Sequence, residues 1–234
     1  MTAADWRRAY FASTTSSACR ASWQFGPPRE VHARPANRVV ADFMGQVNFL
    51  PARIVRAPGG AALFAQRNPD LVGRLALDAM VWTGEGSPTL EQRKKRLPEF
   101  QAMNRRPIDK AFVRGIFTRD HPGTAEDRVV EAFADAILAL DDSVPTGTYV
   151  DMCAKLPVVD PERITVPTIV MRGQWDGIAS YSDLAAFFER LPNPDKQFTI
   201  MPGISHASFQ QKNYMLVYHI LHAFFSQPAP VYRG

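Results

Sequence analysis

The chain has 234 residues, 46% hydrophobic and 21% charged, enough for one or two globular domains with a sizeable core. Its net charge of +4 comes from scattered basic residues; the only run, Arg93-Lys-Lys-Arg96, has no nucleic-acid motif beside it and reads as a solvated helix face. No apolar stretch nears the ~20 residues that span a bilayer, the N-terminus lacks the apolar core of a signal peptide, and Cys19 and Cys153 give no disulfide framework, so the expectation is a cytoplasmic protein without membrane or nucleic-acid partners.

In chain order, residues 1–38 have turn and loop composition, with Ser13-Thr-Thr-Ser-Ser17 and Gly26-Pro-Pro28 and no sustained periodicity. Val40, Phe43, Val47 and Leu50 then share one helical face behind a cap at Asn37. Ile54-Val55 is a short strand, Arg56-Ala-Pro-Gly-Gly60 a turn, and 61–66 a helix ended by Asn68-Pro69. Residues 71–77 read as a buried strand, with Asp78 at its end as a second acid or a plain loop residue. A loop at 83–88 opens a helical stretch in which Val130, Phe133, Ala134, Ile137 and Leu138 form an amphipathic stripe. Trp82 and six further large side chains up to Met152 are candidates for a pocket lining or for helix-on-helix packing.

The last third carries the sharpest pattern. Pro167 starts a short apolar strand, Thr168-Ile-Val-Met171, which Gly173 breaks and Trp175-Asp176 follow. Leu184, Phe187, Phe188 and Leu191 recur as one helical face. Phe198-Thr-Ile-Met201 is the next strand, Pro202-Gly203 its breaker, and His206 lies on the loop beyond. Strand, acid, helix, strand, histidine is a βαβ unit with two polar groups at the carboxyl edge of a parallel sheet, where open α/β sheets place their chemistry. A carboxylate there can accept the imidazole N–H, fix the tautomer and stabilise the imidazolium. Alone, Asp176 would read as a helix cap and His206 as a loop residue; their order and placement favour the catalytic pair. The closing helix spans about 208–226 with Val217, Ile220, Leu221 and Phe224 buried, and His219 and His222 on it lack a third ligand for a metal.

Pro167-Thr-Ile-Val-Met-Arg-Gly-Gln-Trp-Asp176 and Leu191-Pro-Asn-Pro-Asp-Lys-Gln-Phe-Thr-Ile-Met-Pro-Gly-Ile-Ser-His206 resemble the end of an α/β-hydrolase, whose chain order is nucleophile, acid, histidine. The resemblance is specific in the C-terminal third and reaches back loosely to Val39. It implies an α/β fold with a mainly parallel sheet and a helical lid insertion: a partial core over 1–82 with N-terminal strands incomplete, the lid over 83–165 and the rest of the core over 166–234. It also implies a hydrolase of small esters, lactones or amides, without cofactor, with Asp176 and His206 as acid and base and Trp82 and Trp175 near the pocket. The sequence departs from the family at the Gly-x-Ser-x-Gly elbow: aligned on Gly59 and Gly60, Ala57 stands at the serine and Pro58 supplies no oxyanion N–H. No His-Gly pair marks the other donor. Ser205 and Cys153 read as structural. The alternatives are a non-catalytic hydrolase-like protein that binds a ligand or partner, and a truncated or frame-altered product, which would expose apolar sheet surface.

Overall fold

The computed structural model of this chain describes residues 60–228, so the readings for 37–50, 54–55, Ala57 and Gly59 lie outside them. The elements run α1 (Gly60–Arg67), β1 (Leu75–Asp78), α2 (Pro88–Lys95), α3 (Leu97–Gln101), β2 (Arg105–Pro107), α4 (Lys110–Thr118), α5 (Asp127–Leu138), β3 (Ser143–Pro145) and α6 (Gly147–Ala154). They close with β4 (Thr168–Gly173), α7 (Tyr181–Arg190), β5 (Lys196–Met201) and α8 (Tyr214–Ser226). Gly60 of the expected elbow opens α1.

Three parallel strands form the main sheet in the order β1-β4-β5. β4 is the central one and is buried at every residue, as its unbroken apolar run requires of a strand covered on both faces. Ile169 and Met171, two apart on β4, share one face and pack with Met201, Ile204 and the Val217 and Phe224 of α8. Leu184 and Phe187 of α7 are fully buried, and α7 lies against β4 and β5. Ser180 caps α7 by accepting the Asp183 N–H. All three strands end at the same edge, so Asp78, Asp176 and His206 emerge there together.

Between β1 and β4 the chain leaves the sheet for α2 to α6 and the antiparallel β2/β3 ribbon. In α4 and α5, Val113 and Phe117 pack on Val130 and Ala134, with Phe133 and Ile137 at the margin. Ala207, one residue past the histidine, belongs to the same cluster. Thr124 O accepts the Lys212 N–H at 2.8 Å, a second tie between this insertion and the histidine loop.

Two element boundaries differ from the sequence reading. The strand read from Leu71 begins at Leu75; Leu71 is exposed and closes a 3-10 turn, Pro69–Leu71. Pro69 has no N–H, and ladder pairing starts only where Leu75 N–H reaches Pro167 O, next to the start of β4. The closing helix starts at Tyr214, not Ser208. Residues 208–210 make a separate 3-10 turn, and Gln211 is extended, so that Lys212 can step across to Thr124.

Candidate active site

Asp176 and His206 meet. The imidazole Nδ1 lies 3.1 Å from Oδ2 and 3.2 Å from Oδ1 of Asp176. The carboxylate is fully buried and the histidine side chain about a quarter exposed. Asp176 is not held by the histidine alone. Its Oδ1 also accepts the N–H groups of Ile178 at 2.9 Å and Ala179 at 3.0 Å. The cap-like role and the role toward histidine are therefore both filled by one residue.

The surrounding loop is fixed from three directions. Arg172, the last side chain of β4, donates through Nε to Ala179 O and through Nη2 to Asp176 O, both at 2.8 Å. Trp175 N–H reaches Ile204 O at 2.9 Å, and Gly203 N–H reaches the Gln174 side-chain oxygen at 2.9 Å. Gly173 has no side chain to keep the two loops apart. Gly177 donates its N–H to Asp120 at the end of the α4 region. Burial alone would raise the Asp120 carboxyl, but the hydrogen bond and charge of Arg119 hold it below its ordinary range.

Asp78 joins the same edge. Ser208 Oγ donates to its Oδ1 at 3.2 Å. Its pKa is raised to about 6, first by burial and then by Asp176, against the lowering effects of Ser208 and His206. Asp78 is the last residue of β1 and not a loop residue.

Other sequence candidates fall elsewhere. Trp175 lines a polar cleft of about 380 Å³ with Pro88, Gln92, Arg119, Gln174 and Asp176, and stacks on His121 with ring centroids 4.2 Å apart. Trp82 is not in that cleft. It is buried, its indole N–H donates to Val159 O at 3.0 Å, and its ring meets Phe187 edge-on. Ser205 is buried between Thr124 and Gln211, to which its hydroxyl is committed. Burial pushes the Cys153 thiol up, away from the thiolate form. Among the described residues, no hydroxyl or thiol hydrogen-bonds the second nitrogen of His206, and no cluster of three metal-ligating side chains occurs. None of the described helices is long and apolar enough to cross a membrane.

The sheet order is that of an α/β-hydrolase, and solved structures share the fold. Rv0554 of Mycobacterium tuberculosis superposes with a TM-score of 0.53 at 14% identity, over 73% of this chain and 64% of that one. A bromoperoxidase of Bacillus anthracis gives 0.50 at 15% identity, over 70% and 62%. The chain thus spans less than two thirds of either structure. Over the described residues its fold is that of the α/β-hydrolases. No protein-family model matches the sequence. Among curated proteins, a 41-residue stretch is 49% identical to the spermidine/putrescine import ATP-binding protein PotA 1 of Pseudomonas aeruginosa, over 18% of this chain and 11% of that protein. A 42-residue stretch is 48% identical to PotA of Pseudomonas fluorescens, over the same shares. The chain spans about a tenth of the length of these curated relatives.

Proposed function

We propose that the chain is a hydrolase of small esters, lactones or amides in which His206 is the general base, Asp176 orients and charges it, and the insertion over 83–165 is the lid. The observation that carries this reading is the Nδ1 contact to a fully buried carboxylate at the carboxyl edge of the sheet. With Asp176 accepting the Nδ1 proton, the other nitrogen is the unprotonated one and can take a proton from a hydroxyl that attacks the substrate carbonyl. The Ala57 position offers no such hydroxyl, so a water activated directly by His206 fits this chain. The cleft beside Asp176 has the size of a small-molecule site.

The test is turnover of a short-chain aryl ester by wild type and His206→Ala. Loss of at least about 100-fold in the variant is expected of a general base. Folded wild type with no turnover, or turnover equal in both, sinks the reading.

The lack, among the described residues, of a hydroxyl or thiol on the second nitrogen of His206 favours a second reading, a hydrolase-like protein that binds a ligand without catalysis. Under this reading, wild type and His206→Ala bind ligand alike and neither turns over.

A further inference from the structure

Arg93 was expected on a solvated face; instead its guanidinium turns inward and lies 4.3 Å from the centroid of the Tyr149 ring. Arg106, from the β2/β3 ribbon, lies 3.6 Å from the same centroid and 5.6 Å from that of Phe112. Arg119 stands close enough for its charge to act on both Tyr149 and Arg93, and it also lines the cleft beside Asp176. Three guanidinium groups thus gather around one phenol.

Two of the three lack a counter-charge among the described residues. Arg119 is paired with Asp120. Among the described residues, neither Arg93 nor Arg106 has a carboxylate within ion-pair distance; the nearby acids Glu91 and Glu99 are taken by Lys94 and Arg96. Arg93 spends an Nη1 proton on the Met152 sulfur at 3.4 Å, a weak acceptor. The Nε of Arg106 is buried with no partner. Arg106 Nη1 donates to Pro145 O at 2.9 Å and Arg106 also hydrogen-bonds the Tyr149 side chain. Aromatic stacking occupies the faces of a guanidinium, and the N–H edges not spent in this way are the ones that grip phosphate or carboxylate. Burial, followed by the charges of Arg119 and Arg106, also pulls Arg93 below its ordinary range, while burial does the same to Arg106. A bound anion would offset both the burial of these cations and their mutual repulsion.

We infer that Arg93, Arg106 and the Tyr149 hydroxyl, next to Arg119, form an oxyanion-binding site in the helical insertion, one that takes a small phosphate- or carboxylate-bearing ligand. Placed beside the cleft, this site gives the substrate of the proposed hydrolase an anionic group. That last step rests on the hydrolase reading; the binding site does not.

The experiment is calorimetric titration of the full chain with inorganic phosphate and, separately, with succinate, against chloride at equal ionic strength. Saturable binding of at least one anion is expected, weakened about tenfold in each of Arg93→Gln and Arg106→Gln, less in Arg106→Lys, and unchanged in Lys155→Gln. Tighter phosphate than succinate assigns a phosphate ligand, and the reverse a carboxylate. No saturable binding to folded protein, or equal binding by all variants, overturns the site. Should the Gln variants fail to fold, the wild-type Tm against phosphate concentration decides: a rise that saturates supports the site, whereas no rise, or the unsaturating rise that a kosmotropic salt gives, refutes it. Because the readout is binding, anion affinity without ester turnover removes the hydrolase reading alone. Turnover that depends on His206 without anion affinity removes the anion site alone.

Discussion

Gly173 and Ser205 lie so close that the Cβ of any other residue at 173 would sit 2.6 Å from the Ser205 carbonyl oxygen, with the Ile204 carbonyl closer still. Both obstacles are main chain, and both belong to the loop that delivers His206. The end of β4 and the histidine loop can touch only because position 173 is a glycine. Gly173→Ala should therefore cost about 1–3 kcal/mol of stability, as overpacking does, and move the imidazole off Asp176. A urea melt and an ester assay on the same preparation check it. Wild-type stability with wild-type turnover would show that the loop gives way easily.

Asp176 serves two backbone N–H groups and an imidazole through one buried carboxylate. Its two obvious substitutions should separate those duties. Asp176→Ala leaves the Ile178 and Ala179 donors unpaired and should lose about 2–4 kcal/mol. Asp176→Asn keeps an acceptor oxygen for them, so it should melt within about 1.5 kcal/mol of wild type. It removes the charge that stabilises the imidazolium, so ester turnover should fall by about 100-fold or more. Equal stability losses in the two variants would mean that the N–H contacts contribute little.

Asp183 ties α7 to the loop after β1 across a separation of about one hundred residues. Its carboxylate accepts the N–H groups of Trp82 at 2.9 Å, Thr83 at 3.0 Å and Gly84 at 3.1 Å, besides the Thr83 hydroxyl. Charge-assisted bonds of this kind, lost together from a buried site, predict a penalty of about 3–5 kcal/mol for Asp183→Ala. A lower urea midpoint at unchanged m-value is the expected signature. A loss under about 1 kcal/mol would show that water replaces the carboxylate there.

These bonds mark the boundary of what the sequence makes readable. Asp176 and His206 were legible because each follows its own strand within a few residues, and strand, breaker and polar residue form a local pattern. The helix face Leu184, Phe187, Phe188 and Leu191 was legible for the same reason. Asp183 lies within that helix, yet its partners at 82–84 belong to another part of the chain, and no periodicity announces them. The cluster of Arg93, Arg106 and Tyr149 joins α2, the ribbon and α6, so Arg93 looked like one more solvated cation. Trp82 read equally well as pocket or packing, because only the tertiary contact with Phe187 and the bond to Val159 decide between them. The short strand at 75–78 was overextended because Leu71 and Val72 are apolar, while pairing depends on where β4 begins.

Asp78 should make stability depend on pH in the sense opposite to an ion-paired carboxylate. Its pKa rises from 3.8 to about 6 in the folded chain, mainly through burial, with Asp176 adding to the rise and Ser208 and His206 opposing it. The folded state then binds this proton more tightly than the unfolded one. Its stabilising contribution is fully present below pH 3.8 and is lost as the pH climbs through about 6. Asn at this position stays neutral and still accepts from Ser208. Relative to wild type, Asp78→Asn should therefore gain stability between about pH 4 and about pH 7.5, by up to about 3 kcal/mol. Urea melts of both proteins at the two pH values measure the gain. A difference that does not change with pH would mean that Asp78 titrates alike in the folded and unfolded chain, and that water reaches it behind Ser208.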